Sequence, residues 1–298
     1  MNPGFYGMGI EVIGRCNASC EFCGWGSIKD VKTENVFTGE ILTRSKEKID
    51  LGLLDAILTE HPIKGVICTG LSEPFLAPDR VFYLAEQGEK RGFSLTVYTN
   101  GYLLDESIMR ELLGYKCFVS IFFSMNAFTD ETRRKVMGLP LQPSEENLIK
   151  FIELRDLMGR QDIPVGNVFM LTPNNRHEQN LFRRKWKEIF SKYVNCNEPG
   201  VFNATNWSGE VKNYYMTSEG NASGCLQWTC SAPTISVDGQ IYLCCYTSHI
   251  SFGHVLDQEA VTKWLNRREV FNFKDISRSD NYPSMCKDCS HRFANNWK

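Results

Sequence analysis

The sequence predicts an α/β fold, a partial (β/α)6 barrel followed by a smaller α+β module. Short apolar runs alternate with longer amphipathic stretches from about residue 8 to 205, the pattern of βα units around a parallel sheet. Six such units are too few to close an eight-stranded barrel, so the barrel is expected to stay open. After Trp207 the texture changes to Gly, Ser and Asn, which places a boundary between 1–205 and 206–298.

The strands are expected in order over 8–15 (MGIEVIGR), 64–70 (KGVICTG), 93–99 (FSLTVYT), 116–124 (KCFVSIFFS), 165–171 (VGNVFML) and 200–205 (GVFNAT), each rich in β-branched or aromatic residues. Apolar residues recur at helical spacing over 47–60, 79–91, 105–114, 144–159 and 178–193. In the second module, TISVDGQIYLC reads as a hairpin, because Asp238-Gly239 favours a tight turn.

Bulk composition narrows the function. The chain has 298 residues, 42% of them hydrophobic, with 33 basic against 35 acidic side chains. That balance gives no footprint for nucleic-acid phosphates and no polybasic run for a membrane surface. No stretch approaches the roughly 18 apolar residues of a membrane span. The opening MNPGFYGMGIEV lacks the regions of a signal peptide, so a cytoplasmic protein is expected.

Twelve cysteines are many for such a protein, and in a reducing compartment clustered thiols point to metal binding or redox chemistry. Cys16, Cys20 and Cys23 form one tight group, and Cys225, Cys230, Cys244, Cys245, Cys286 and Cys289 a second. The first group is RCNASCEFC, a CxxxCxxC directly after the first expected strand. In a parallel barrel that end of the strands is where sites are built. Three thiolates can hold three irons of a 4Fe-4S cube and leave the fourth open, whereas a structural cluster normally takes four cysteines. A zinc site or half of a disulfide scaffold is the other reading of this spacing, although no further cysteine follows before Cys68.

CxxxCxxC after an early strand, with the aromatic Phe22 before the last cysteine, resembles the radical S-adenosylmethionine (SAM) superfamily, whose fold is a partial TIM-like barrel. The resemblance implies that Cys16, Cys20 and Cys23 hold a 4Fe-4S cluster and that its open iron chelates the amino and carboxylate groups of SAM. One-electron reduction by an external donor such as flavodoxin or ferredoxin then releases methionine and a 5′-deoxyadenosyl radical. ICTGLSEPFL resembles the family's GGEP segment, with Gly70, Ser72, Glu73 and Pro74 matching, although Ser72 stands where a second glycine is usual. Asn100 in YTNG, Ser124, and the Arg133-Arg134 pair fall where relatives hold SAM, and Arg134 is the arginine expected to do so. An arginine suits a carboxylate because its donors are planar and paired.

The second cysteine group resembles the auxiliary-cluster modules called SPASM and its shortened form, twitch. The resemblance implies one auxiliary 4Fe-4S cluster on Cys225, Cys244, Cys286 and Cys289, with Cys230 the alternative to Cys225. The chain ends soon after Cys289, which fits the twitch form. Cys245 is then a spare thiol, either a buried apolar residue or a hydrogen-atom donor to a substrate radical. Epimerisation follows if a thiol returns hydrogen; dehydrogenation follows if the auxiliary cluster takes the second electron.

The chain starts almost on its first strand, which shifts the expectation to a small-molecule substrate of the sugar or aminocyclitol class. A peptide maturase or peptide epimerase is the alternative. A non-enzymatic iron-sulfur electron-transfer protein is a third reading, with no use for the SAM-binding segments. Glu73, Asn203, Asn206, Trp207, Glu210 and His249 are polar residues that could line the cavity.

Overall fold

A computed structural model describes residues 5–24, 32–68, 72–204, 232–244 and 250–271. The barrel strands are β1 (Gly7–Ile10), β4 (Gly65–Cys68), β5 (Ser94–Thr99), β6 (Phe118–Ser124), β7 (Val165–Leu171) and β8 (Gly200–Asn203). They lie side by side in that order, every pair parallel. The crossovers carry helices α1 (Leu51–Glu60), α2 (Pro78–Arg91), α3 (Glu106–Gly114), α4 (Asp130–Met137), α5 (Gln142–Leu157) and α6 (Gln179–Phe190). This is the expected α/β fold with an open six-stranded parallel barrel.

Alternation assigns the two faces. In β5, Leu95, Val97 and Thr99 are buried and Ser94, Thr96 and Tyr98 half-buried. In β6 a register shift lets Leu95 pair with Phe118 and Thr96 with Ser120, so an irregularity at Val119 resets the alternation. Phe118 and Phe123 then both meet Phe151 of α5, at 6.3 and 6.1 Å between ring centroids. Phe169 of β7 meets Phe182 of α6 at 4.7 Å. Fully burying such a ring contributes about 1.5–3 kcal/mol, so this layer between strands and helices is the main apolar anchor of the barrel. Thr96, Tyr98, Ser120 and Phe122 lie on the other face, toward the barrel interior.

Helix starts follow cap chemistry more closely than apolar periodicity. Asp50 accepts the N–H of Leu53 and Asp105 that of Ile108, which puts the first turns of α1 and α3 at 51 and 106. The helix expected from 47 therefore starts later. Helix α4 was not foreseen. Its sequence DETRRKVM is mostly charged, and its buried side includes Thr132 and Arg133 beside Val136 and Met137, so an apolar stripe is missing.

The sheet continues past β1. The expected hairpin forms β9 (Thr234–Ile235) and β10 (Gln240–Tyr242) around Asp238-Gly239, with Gly239 at φ +73°. β9 runs parallel to β1, and β11 (Ile250–His254), β2 (Lys32–Asn35) and β3 (Ile41–Thr43) extend the same sheet in the order β9-β10-β11-β2-β3. β2 (KTEN) is short and polar and β3 (ILT) is only three residues long, and neither carries a periodic signal. Helices α7 (Gln258–Leu265) and α8 (Arg267–Val270) follow β11. A buried ion pair, Glu11 with Arg44, joins the end of β1 to the residue after β3. Asp238 Oδ2 accepts the Ser45 N–H at 2.9 Å beside it.

Candidate active site

The triad loop follows β1 at the carboxyl end of the strands. Cys23 N–H donates to Cys20 O at 3.1 Å and Ala18 N–H to Cys16 Sγ at 3.4 Å, which turns the loop on itself. Two further main-chain bonds, Ser19 N–H to Met137 O and Glu21 N–H to Val136 O, both 2.9 Å, lay it on the end of α4. Ala18, Cys20 and Phe22 pack there against Val136, Met137 and Leu139. Gly138 ends α4 at φ +70°, and a Cβ there would stand 2.2 Å from Ser19 Oγ, so this approach favours glycine.

Glu21, between the cysteines, was not singled out from sequence. Its carboxylate accepts Thr172 Oγ1–H at 2.8 Å and Asn174 Nδ2–H at 2.7 Å, which ties the loop to the end of β7 as well. Glu178 supports α4 from the other side, taking the N–H of Phe128 at 2.7 Å and the hydroxyls of Thr129 and Thr132 at 2.5 and 2.8 Å. Burial works to raise the Glu178 pKa, but these donors outweigh it and hold the carboxyl below its usual range.

Each thiol feels the others. Burial first, then the charges of Cys23 and Cys16, pushes Cys20 well up, while Arg133 pulls it down. Cys16, at the exposed rim, is pushed up by its surroundings first and then by the Glu73 carboxyl and Cys23. Thiols so crowded resist ionisation unless cations are bound among them.

Of the GLSEP segment, Gly70 lies outside the described residues. Ser72 is buried, and its Oγ has no partner among the described residues. Glu73 is buried and occupied: Oε1 accepts Thr99 Oγ1–H at 2.7 Å and Phe75 N–H at 3.2 Å, and Oε2 accepts Asn100 N–H at 2.8 Å. Burial pushes its carboxyl up to about 7 against those donors. Asn100 in turn gives Nδ2–H to Asn17 Oδ1 at 2.7 Å and lies 4.0 Å from Cys16 Sγ. Glu73 and Asn100 are thus brought to the triad, with Glu73 acting through Asn100.

Ser124 ends β6, half-buried on the interior face, with its carbonyl accepting Arg133 Nη1–H at 2.8 Å. Asn126 takes a left-handed backbone at φ +56° and accepts Met170 N–H at 2.7 Å, which locks the turn after β6 onto β7. Arg134 is not brought to the triad. Its side chain is 60% exposed and pairs with Asp130 at 2.6 Å one helical turn earlier. The buried arginine is Arg133; successive side chains of α4 point roughly 100° apart, so Arg133 faces into the fold while Arg134 faces out.

On the interior face, Thr96 Oγ1 and Ser120 Oγ are 2.7 Å apart in a hydrogen bond. Tyr98 stacks on Phe122 at 4.9 Å and 16°. Gly166 of β7 makes room for Phe122, since a Cβ there would stand 2.7 Å from the ring.

Of the second cysteine group, Cys244 is described, buried just after β10. Cys225, Cys230, Cys245, Cys286 and Cys289 lie outside the described residues, as do Asn206, Trp207, Glu210 and His249. Asn203 is the exposed last residue of β8.

Among the described residues, no group of three or more His, Cys, Asp or Glu side chains stands as a ready chelate for one metal ion. The fit to an iron-sulfur cube rests on donor chemistry. Three mutually repelling thiols occupy one loop, and beside them Asn17 Nδ2 and Ser72 Oγ are buried without a partner among the described residues. The amino-acid end of SAM carries both acceptors and donors for such groups.

The family model of the radical SAM superfamily matches residues 10–183, more than half of the chain. The chain belongs to the radical SAM superfamily. A second model, for the SPASM iron-sulfur cluster-binding domain, matches residues 225–290. Its cofactors are therefore a 4Fe-4S cluster, SAM and auxiliary iron-sulfur.

Solved structures share the fold at low identity. BtrN in complex with AdoMet and 2-DOIA aligns at TM-score 0.60 and 15% identity over 97% of this chain and 94% of that one. Native anSMEcpe with bound AdoMet and a peptide aligns at TM-score 0.63 and 17% identity, covering 98% and 91%. Streptococcus suis SuiB bound to precursor peptide SuiA aligns at 0.62 and 13%, covering 97% and 71%. Among curated proteins, the tungsten-containing aldehyde ferredoxin oxidoreductase cofactor-modifying protein of Pyrococcus furiosus is 25% identical over 56% of this chain and 44% of its own length. The dual-specificity RNA methyltransferase RlmN of Geobacter sulfurreducens is 27% identical over 52% and 41%. The match thus spans less than half the length of these relatives. No helix among the described residues is long and apolar enough to cross a membrane.

Proposed function

We propose that this radical SAM enzyme acts in the cytoplasm on a C–H bond of a polar small molecule of the sugar or aminocyclitol class, giving epimerisation or dehydrogenation. The observation that carries the substrate class is the interior face of the barrel. An aromatic pair, Tyr98 on Phe122, stands beside a hydroxyl pair, Thr96 and Ser120. A cyclic polyol has C–H faces that pack on aromatic rings and hydroxyls around its edge that exchange hydrogen bonds with side-chain hydroxyls.

In this reading residues 1–205 carry the radical-generating site and 206–298 the auxiliary cluster. Cys16, Cys20 and Cys23 would hold the first cluster; Phe22, Gly70, Ser72, Asn100 and Ser124 would line the SAM site. Cys225, Cys244, Cys286 and Cys289 would hold the auxiliary cluster, and Cys245 would return a hydrogen atom in the epimerase case. When bound, the cluster and SAM supply a 5′-deoxyadenosyl radical, with the electron coming from flavodoxin or ferredoxin. Glu73 fixes Asn100, and Asn100 with Asn17 fixes the Cys16 end of the loop. Glu21 fixes the Cys20–Cys23 turn from β7.

A second reading, peptide modification, is favoured by the peptide-bound neighbours SuiB and anSMEcpe. One experiment separates the readings. Reconstituted protein with dithionite and SAM is offered cyclic polyols, aminocyclitols and peptides in deuterium oxide. We expect the polyol class to raise 5′-deoxyadenosine release, and solvent deuterium on the product carbon would mark epimerisation. Stimulation by peptides alone would overturn the substrate class, and no 5′-deoxyadenosine at all would favour an electron-transfer protein.

A further inference from the structure

Arg133 is a cation with 0% exposure, and the acceptors around its guanidinium are neutral. Nη1 donates to the carbonyls of Ser124, at 2.8 Å, and of Met125. Nη2 donates to Asn100 O and Ser144 Oγ, each at 2.9 Å. Its Nε has no acceptor among the described residues. A buried cation without a counter-charge is costly, and carbonyl dipoles offset only part of that cost.

The nearby carboxylates do not fill the role. Glu145 is paired with Lys185 at 2.5 Å, and Asp130 with Arg134 at 2.6 Å. Glu73 spends both carboxyl oxygens on Thr99, Phe75 and Asn100. What remains is the triad. Arg133 lies one turn before Met137, whose carbonyl holds Ser19, and it grips Asn100, whose side chain reaches Cys16. Val136 and Met137, which follow Arg133 on α4, pack against Cys20.

We propose that Arg133 is the buried counter-charge of the cluster on Cys16, Cys20 and Cys23, and that it raises the reduction potential of that cluster. Three thiolates bring negative charge to the loop, and reduction by an external low-potential electron-transfer protein adds one electron more. A fixed cation behind the loop, in a medium of low dielectric constant, stabilises the reduced form more than the oxidised one. Arg133 is thus a positioning residue, acting through the loop and needing no contact with SAM. The inference rests on the triad ligand assignment above.

The test is an EPR-monitored redox titration of the full reconstituted chain, following the cluster signal that changes when SAM is added. R133Q removes the charge, and we expect the reduced-to-oxidised ratio at a fixed potential to fall about tenfold, equal to about 59 mV for one electron. R133K keeps the charge and should stay near wild type. S144D leaves the guanidinium in place but sets a carboxylate against Nη2, and should lower the ratio like R133Q. S144A removes the same hydrogen bond without adding charge, and should not.

If R133Q does not fold, the contrast between S144D and S144A still decides. An S144D cluster that loads iron and titrates as wild type would overturn the proposal. Wild-type protein that binds no iron at Cys16, Cys20 and Cys23 would overturn the ligand assignment first.

Discussion

Glu73 Oε2 accepts the main-chain N–H of Asn100 at 2.8 Å, so one buried carboxylate joins the turn after β4 to the end of β5. The other oxygen of the same group takes Thr99 and Phe75. Glutamine cannot replace it, because its NH2 would face one of these three donors. E73Q should cost about 1–3 kcal/mol of stability, the penalty for a buried donor left unpaired. Asn100 would loosen with it, so SAM affinity should fall severalfold while iron content changes little. Urea unfolding and equilibrium dialysis with SAM check both; unchanged SAM affinity would argue against the Asn100 link.

The same group sets a pH dependence. Burial pushes Glu73, and likewise Glu11, from 4.5 up to about 7. Between those values the unfolded chain has released the protons while the folded chain still holds them. The folded state therefore binds more protons, and the contribution of these two groups to stability falls as the pH rises through that window. Six carboxyls pull the other way, Asp79, Asp105, Glu106, Asp130, Asp162 and Glu178, each held below its usual range; their contribution is present at neutral pH and lost in acid. E73Q should flatten the loss of stability between pH 5 and 7 relative to wild type. Urea midpoints across that range measure it, and an identical slope in the variant would mean Glu73 is ionised throughout.

Glu21 is the only side chain between Cys20 and Phe22, and it reaches across to Thr172 and Asn174 at the end of β7. Removing it frees the Cys20–Cys23 turn without opening the strand-helix core. E21A should lower iron incorporated per chain severalfold, while the melting transition shifts by about 1 kcal/mol or less, as for a change outside the core. T172A with N174A should reproduce the loss. Full iron loading in E21A would show that the two main-chain bonds to α4 suffice to hold the loop.

The six barrel strands were legible because β-branched and aromatic residues concentrate in them, as in VGNVFML, found at Val165–Leu171 as expected. The cysteine triad could be picked out because its three thiols come from one loop and depend on no long-range contact. What holds that triad could not. Glu21, Thr172, Glu178 and Arg133 are polar residues whose partners are 151 residues away for Glu21 and Thr172, and 46 for Glu178 and Thr132. Local spacing carries no information about such pairs. The sequence pointed to Arg134 of the adjacent pair, whereas the structure exposes Arg134 and buries Arg133. Two adjacent arginines on a helix point roughly 100° apart, and only the packing of α4 decides which is buried.

Gly166 gives the last prediction, because it links the barrel wall to the proposed substrate face. A Cβ at this position would stand 2.7 and 2.8 Å from two atoms of the Phe122 ring, closer than carbon atoms pack. The ring is held on its other side by Tyr98 at 4.9 Å, so G166A must move Phe122 or part the stack. The triad, Glu73 and Asn100 sit beyond the strand ends and should be untouched. We therefore expect G166A to keep iron loading and the basal release of 5′-deoxyadenosine without substrate. KM for the cyclic polyol should rise severalfold, and cleavage of SAM should become uncoupled from product formation. F122L in the G166A background shortens the obstructing side chain and should restore the space, though not the aromatic face, leaving KM high. If G166A instead leaves KM at the wild-type value, the interior face of β5, β6 and β7 is not where the substrate lies.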